Sequence, residues 1–338
     1  MMNEILTGLQ AWKVTDFKDE SEWISVFAED EIREMNAIAQ KPEVPFSELL
    51  QMTKDDFHLP AISAKFNDIR EHLEGGRGFA VLRGVPVRNY SLAQARMVFW
   101  ALSVHMGTPQ PQDKAGSLLH DVTNTGQKVA AAGEVRGFQT DDELTFHNDG
   151  GDAFMLLCLR TAEHGGVSKL VSVATIFNEI LRTRPDLIDV LQQPFHFDTR
   201  EQHPLGFKIQ SIPVMNVHDA KVSALYKRRY INTAQRFDDV PRLTEEQVQA
   251  LDLFESICRD PQVQLSFSMQ PGDIQVGNNY GILHSRTKYQ DYADPAPKRH
   301  LLRTWLTLPN GRLLPKVFEE TREFRISYLS RQQSAHAE

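Results

Sequence analysis

The sequence predicts a mainly β, α+β fold: a β-sandwich or jelly roll with helical cover. Three observations carry this. Short apolar or alternating runs of strand length recur between residues 78 and 308, Gly-, Pro- and Asn-rich turns separate them, and the regular strand–helix alternation of a parallel sheet is absent.

The elements follow in order. A helix is expected around 31–40, broken by Pro42 and Pro45. Apolar residues at helical spacing over 59–73 stop at Gly75-Gly76, which predicts a left-handed helix exit. The run 78–84 reads as a short buried strand ending at Gly84 and Pro86. Ser91 can cap a helix to residue 106, and His105 in its last turn suits the helix dipole, a structural role. The stretch 110–144 lacks periodicity and is long enough to be a lid or binding loop. Strands are expected over 154–159 and 168–173, with a turn at Gly165-Gly166 between them. Helices over 175–184 and 185–193 follow, the second with Pro185 in its first turn. Strands and turns alternate through 195–230, and Thr244-Glu245-Glu246-Gln247 is a capping box for a helix to 258. Segments 263–269, 274–276, 282–285 and 299–308 read as strands, and the tail from about 332 as frayed.

Bulk properties exclude several classes. A chain of 338 residues with 41% hydrophobic and 24% charged residues and a net charge of −8 has the composition of a soluble globular protein and no basic stripe for nucleic acid. No apolar run approaches the roughly 18 residues of a membrane span. Cys158 and Cys258 lie in apolar runs and read as buried thiols, and without a secretory signal a reducing cytoplasm is the expected setting.

The chemistry centres on Phe146-His147-Asn148-Asp149. In extended chain, residues i and i+2 face the same way, so His147 and Asp149 can reach one small target together. They would supply two thirds of the 2-His-1-carboxylate set of non-haem iron oxygenases. Of the twelve histidines, His120 and His218 are each followed directly by an aspartate, which would point to the opposite face, whereas His284 ends a strand after the Asn278-Asn279 bend, with arginines following. In the strand that starts at Arg299, alternation puts Arg299, Leu301, Arg303 and Trp305 on one face. Two arginines there form either an outward-facing pair on an edge strand or an inward pair that needs anions. Asp152 reads as a capped-turn residue or a substrate-side polar group, Asn279 as a support for the His284 turn, and Trp305 as core. Arg136 and Gln139, in the loop before the histidine motif, are candidate substrate contacts.

Taken together, these pieces resemble the taurine dioxygenase (TauD/TfdA) superfamily of Fe(II)- and 2-oxoglutarate-dependent oxygenases. The likeness lies in Gly78 to Pro86, Phe146 to Asp149, Gly165-Gly166-Val167-Ser168, Pro271 to His284, and Asp291-Tyr292 followed by Arg299 and Arg303, in the family's order over roughly residues 75 to 308. The resemblance implies one domain over 1–338, with helical cover over about 1–74 and a double-stranded β-helix (jelly-roll) core with flanking helices. It implies His147, Asp149 and His284 as iron ligands, Arg299 with the Ser168 hydroxyl on the distal carboxylate of 2-oxoglutarate, and Arg303 on the anionic end of a substrate. Because the stretch between His284 and Arg299 is longer than in taurine dioxygenase, either arginine could clamp the co-substrate. The implied activity is oxidation, chiefly hydroxylation, of a C–H bond in a small anionic molecule, with O2 consumed and succinate and CO2 released. No nucleic-acid or membrane partner is implied, and a homo-oligomer is compatible with it. Desaturation or cyclisation on the same ligands, a non-catalytic binding module and a zinc hydrolase are the competing readings.

Overall fold

The structure, a computed structural model, describes residues 4–126, 137–293 and 298–335. Strands form wherever the sequence alternates or runs apolar between turn residues. Those of the two principal sheets are, in order, β1 (Ile24–Val26), β2 (Phe79–Arg83), β3 (Thr108–Gln110), β4 (Leu119–Val122), β5 (Leu144–His147), β6 (Ala153–Arg160), β7 (Ser168–Ser172), β8 (Leu265–Phe267), β9 (Asp273–Asn278), β10 (Ile282–Arg286) and β11 (His300–Thr307). The larger sheet has seven strands in the order β1-β2-β9-β6-β11-β3, with β4 also paired to β11. The smaller has four, in the order β8-β7-β10-β5. Within these sheets only β1 with β2 is parallel.

The period of two along each strand decides what the sheets bury. In β2, Ala80 and Leu82 join Met155, Leu157, Ile274, Val276 and Leu302 in a core shared with the helices Glu29–Ala39, Pro60–Gly75 and Leu92–Met106. The alternate residues Phe79 and Val81 meet Leu170, Leu265, Phe267 and Ile282 of the smaller sheet. One face of the larger sheet is thus covered by helices and the other by the second sheet. A third cluster packs the helices Val173–Thr183, Asp186–Leu191 and Glu245–Arg259 around Phe195, Phe197 and Tyr226. Each fully buried Phe or Leu in these clusters contributes about 1.5–3 kcal/mol relative to exposure. The fold is a mixed α/β arrangement of facing sheets and helices.

Several expectations need correction. The helix over Pro60–Gly75 leaves through Gly76 at φ −111, not through a left-handed residue. The chain continues almost directly into β2, and the positive φ falls at Gly78 instead (φ 81). Pro185 caps Asp186–Leu191 from outside rather than sitting in its first turn. The stretch 195–230 resolves into two hairpins, Pro194–Asp198 with Ile209–Pro213 and Met215–His218 with Lys221–Ala224. It then ends in an unforeseen helix, Arg228–Ala234. The tail is helical over Arg325–Ala335, beyond residue 332. Its anchor is Tyr328, which with Phe318 and Phe324 enters the third cluster. Cys158 and Cys258 are buried free thiols, as expected.

Asp152 ties this tail to the sheets. It is fully buried and accepts from Tyr280 Oη at 2.6 Å and Leu308 N at 2.6 Å, and it pairs with Arg331. Its role as a turn residue is therefore structural. Asp152→Ala removes the carboxylate that accepts from the buried Tyr280 phenol and Leu308 N–H and that balances the charge of the half-buried Arg331. The expected loss is about 3–5 kcal/mol, seen as a lower urea midpoint with an unchanged m-value.

Candidate metal centre

β5 and β10 pair antiparallel with His147 directly opposite His284, so both imidazoles leave the smaller sheet on the same side. Their ring centroids lie 4.3 Å apart. Phe154 packs on His284 at 4.3 Å, in space that Gly277 leaves open, since a Cβ there would stand 2.6 Å from the Phe154 ring. Just past the end of β5, Asp149 is fixed by two asparagines. Asn148 Oδ1 accepts from Tyr226 N at 2.7 Å, and its Nδ2 donates to Asn279 O at 2.5 Å. Asn279 Oδ1 accepts from Asp149 N at 3.2 Å, and its Nδ2 donates to Gly150 O at 2.6 Å. Asn279 thus supports the Asp149 turn from across the molecule, not the His284 turn assigned to it from sequence.

One ligand atom from each of His147, Asp149 and His284 falls within 4.8 Å of the others. The Nε2 atoms of His147 and His284 stand 3.9 and 3.8 Å from the Asp149 oxygens, beyond hydrogen-bond range. His147 Nδ1 is held 2.8 Å from Thr145 O, which leaves Nε2 facing the carboxylate, while His284 Nδ1 is buried without a partner. Burial pushes His284 down to about 3, with His147 adding to it, and lowers His147 against the pull of Asp149. Burial would raise Asp149, but Arg303, then His284, His147 and Lys227, hold it well below the ordinary carboxylate range. The result is two neutral imidazoles and an anionic carboxylate around a common point, a donor set that fits a divalent metal of the imidazole–carboxylate class.

Two cavities meet at this cluster, and Asp149, Leu144 and Arg303 line both. One is walled by His284, Ser168, Arg286, Arg299 and Leu301. Arg303 is buried on the interior strand β11 and Arg299 is buried one residue before its start, which rules out the edge-strand alternative. Ser168 lies opposite Arg286 in register. The Arg286 and Arg299 guanidinium groups sit 4.5 and 5.1 Å from one Tyr289 ring. Burial lowers both, Arg286 to about 10 with Arg299 contributing. Arg286 Nη1 is buried without a hydrogen-bond partner among the described residues. The turn that admits Arg299 needs glycine, because a Cβ on Gly165 (φ 74) would stand 2.1 Å from Lys288 O.

The other cavity is lined by His147, Lys227, Arg303 and Trp305, among others. Arg303 donates to both Asp149 oxygens at 3.1 Å and to Gln112 Oε1 at 2.8 Å, so its nearest anion is a protein carboxylate. Trp305, expected as core, borders this cavity. Gln139 lies in a short turn whose carbonyl accepts from Thr125 N at 2.9 Å and is not among the residues lining either cavity. Arg136 falls outside the described residues. His105 bonds Ser63 Oγ at 2.8 Å and Phe57 O at 3.0 Å, a structural role as expected. Arg286 and Lys227 were not singled out from sequence. Arg286 carried a readable signal, two residues beyond His284 in a strand, whereas Lys227 reaches the site by a β-bridge to His147 that no local pattern announces.

Facing sheets with two imidazoles and one carboxylate where their cavities meet are the layout of a 2-His-1-carboxylate oxygenase. Residues 45–305 match the model of the family described as taurine catabolism dioxygenase TauD, TfdA family, and the chain belongs to that family of dioxygenases. The FR-33289 synthase of Streptomyces rubellomurinus (strain ATCC 31215) is 29% identical over 321 residues, which cover 93% of this chain and 94% of that protein. An asparagine oxygenase in complex with Fe(II), 2S,3S-3-hydroxyasparagine and succinate shares the fold with a TM-score of 0.66 at 19% identity, covering 85% of this chain and 93% of the other. The non-heme iron oxygenase OrfP in complex with Fe and alpha-ketoglutaric acid does so with a TM-score of 0.60 at 16% identity, covering 84% and 94%. Among the described residues no helix is long and apolar enough to cross a membrane.

Beside the cluster, Lys227 Nζ bonds the buried Glu323 Oε1 at 2.6 Å. Burial opposes ionisation of Glu323, but Lys227, Arg322 and Gln210 bring its carboxyl down to about 2 from a usual 4.5. A depressed carboxyl stabilises the fold fully above its unfolded value and loses that contribution as pH falls through the folded one. Urea midpoints should therefore fall between pH 4.5 and 2 in the wild-type chain. Glu323→Gln should be less stable at pH 7 and show a flatter acid dependence over that window.

Proposed function

We propose that this chain is an Fe(II)- and 2-oxoglutarate-dependent dioxygenase that hydroxylates a C–H bond of a small anionic substrate, releasing succinate and CO2. The observation that carries the reading is the junction of the His147, Asp149 and His284 donors with a cavity whose other walls include Arg286, Arg299 and Ser168. A hydrolytic metal site has no need of two buried guanidinium groups beside its ligands, whereas a dicarboxylate co-substrate does. The iron and 2-oxoglutarate or succinate named for the two related complexes support the same assignment.

In this reading His147, Asp149 and His284 would hold the iron. When bound, iron and 2-oxoglutarate together supply the O2-dependent oxidising power, and the protein's task is to bind, orient and exclude water. The Thr145 carbonyl fixes the His147 tautomer and ring orientation, and Phe154 fixes the His284 plane. Asn148 and Asn279 keep Asp149 in place. Arg299 and Arg286, with the Ser168 hydroxyl, take the distal carboxylate of 2-oxoglutarate, and Arg303 steadies Asp149 at the boundary with the substrate cavity. The substrate enters the cavity on the His147 and Trp305 side. The two facing sheets make up the double-stranded β-helix core of one domain, which the N-terminal helices cover, and the setting is cytoplasmic.

Anaerobic addition of Fe(II) and 2-oxoglutarate should give a weak visible charge-transfer band that His147→Ala, Asp149→Ala and His284→Ala each abolish, together with succinate release. A full band in any of the three would overturn the ligand assignment. Arg299→Ala is expected to raise the KM for 2-oxoglutarate by about 10–100-fold, and Arg286→Ala by about tenfold, with smaller changes in kcat. Steady-state kinetics at varied 2-oxoglutarate check this, and an unchanged KM in Arg286→Ala would remove that residue from the clamp.

A further inference from the structure

The cavity on the His147 side has more positive charge than a simple carboxylic acid needs. Arg200, Lys227, Arg228, Arg229, Arg303 and Arg322 line it, and among the described residues Asp149 is the sole carboxylate in its lining. Several of these cations have protein partners. Arg303 pairs with Asp149, Lys227 and Arg322 lie 2.6 and 3.4 Å from Glu323, and Arg228 Nη2 lies 2.7 Å from Asp252. Two donors stand outside these pairs. Arg200 makes no ion pair among the described residues, and its Nη2 is buried without a hydrogen-bond partner. Arg228 Nη1 is likewise buried without a hydrogen-bond partner among the described residues, although the Arg228 side chain also acts on the Tyr226 hydroxyl. Burial, and after it the charge of Arg200, lowers Arg229, which lines the same cavity.

The backbone places Arg200 at a cost. Arg200 and Glu201 are consecutive non-glycine residues at φ 53 and 59, a conformation worth on the order of 1 kcal/mol or more per residue. The Asp198 carboxylate accepts the Arg200 N–H at 2.8 Å and holds the turn, and the guanidinium lies 5.9 Å from the Tyr230 ring. Lys227 approaches the same ring at 5.4 Å.

Building on the oxygenase reading, we infer that the substrate carries a dianionic phosphoryl group, a phosphonate or phosphomonoester, which binds among Arg200, Arg228 and Arg229 while the carbon to be oxidised faces the metal centre. One bidentate guanidinium satisfies a carboxylate, and a sulfonate offers three oxygens but a single charge. A phosphoryl group offers three strong acceptors and nearly two charges at neutral pH, which matches several guanidinium groups lining one cavity.

The test is calorimetric titration of the full chain, with and without Fe(II) and 2-oxoglutarate under anaerobic conditions. The ligands are 2-aminoethylphosphonate, O-phosphoethanolamine, taurine and β-alanine, which share an aminoethyl chain and differ in the acidic head. At pH 8 at least one phosphoryl compound should bind about tenfold or more tightly than both taurine and β-alanine, and the tighter of the two distinguishes a phosphonate from a phosphomonoester. The preference should shrink towards pH 5, where the phosphoryl group loses a charge and the sulfonate does not. Arg200→Gln and Arg228→Gln should each remove most of it, and Arg200→Lys serves if the glutamine variant no longer unfolds cooperatively. Taurine or β-alanine binding as tightly as both phosphoryl compounds, or an undiminished preference in both glutamine variants, would overturn the inference. Failure of the oxygenase reading would show instead as an absent charge-transfer band, since the titration without iron reads the anion site on its own.

Discussion

The Asp149 carboxylate, buried as an anion between two imidazoles and a guanidinium, is the constraint that the rest of the structure serves. A charge taken out of water costs several kcal/mol unless geometry returns it. Here the return comes chiefly from Arg303 on β11, which donates to both carboxylate oxygens, while Asn279, from the bend between β9 and β10, accepts from the Asp149 main-chain N–H and fixes the turn, and the two histidines come from paired β5 and β10. Each partner belongs to a different stretch of chain. The carboxylate is therefore an assembly point, and the register of β5 against β10 and the pairing of β11 with β6 must both be right for it to be tolerated.

The same charge divides the interior. Asp149 and Arg303 border both cavities, so the proposed co-substrate and substrate sites share a wall and the proposed metal position lies at their junction. Polar control of this junction comes from residues with no chemistry of their own. Asn148 and Asn279 satisfy backbone groups of the turn, and Phe154 fills the side of His284 away from His147. Preorganisation of this kind keeps ligands within a fraction of an ångström of their working geometry, which a loop alone would not do.

Like charges held close together are the other recurring feature. Arg286 and Arg299 share the Tyr289 ring, and Arg200 and Arg229 line the second cavity together. Arrangements of this sort reduce the stability of the ligand-free chain, and they make sense where an anionic ligand completes the charge balance. In the structural pairs, by contrast, each cation already has a carboxylate: Arg331 has Asp152, Arg83 has Asp273 and Glu20, and Lys227 and Arg322 share Glu323.

Local pattern by itself determined a good deal about this protein. Alternation and turn residues placed seven of the eleven strands of the two sheets, β2 and β6 to β11, while the Ser91 cap and the Thr244 capping box placed two helices, and the i, i+2 spacing put His147 and Asp149 on one side. The order of motifs along the chain pointed to the dioxygenase family to which it belongs. Such features are encoded in short windows, where backbone geometry follows from the residues themselves. Tertiary structure decided the rest. That His284 stands opposite His147, that Arg303 faces Asp149, that Asn279 locks a turn 130 residues away, and that Lys227 and Arg200 join the cavity are all matters of long-range pairing. The tail shows the same limit: its residues look polar and terminal, yet Tyr328 and Arg331 find a core cluster and a buried aspartate that only the folded chain presents. Contacts between distant segments are set by packing and burial, and no single window of sequence contains both partners.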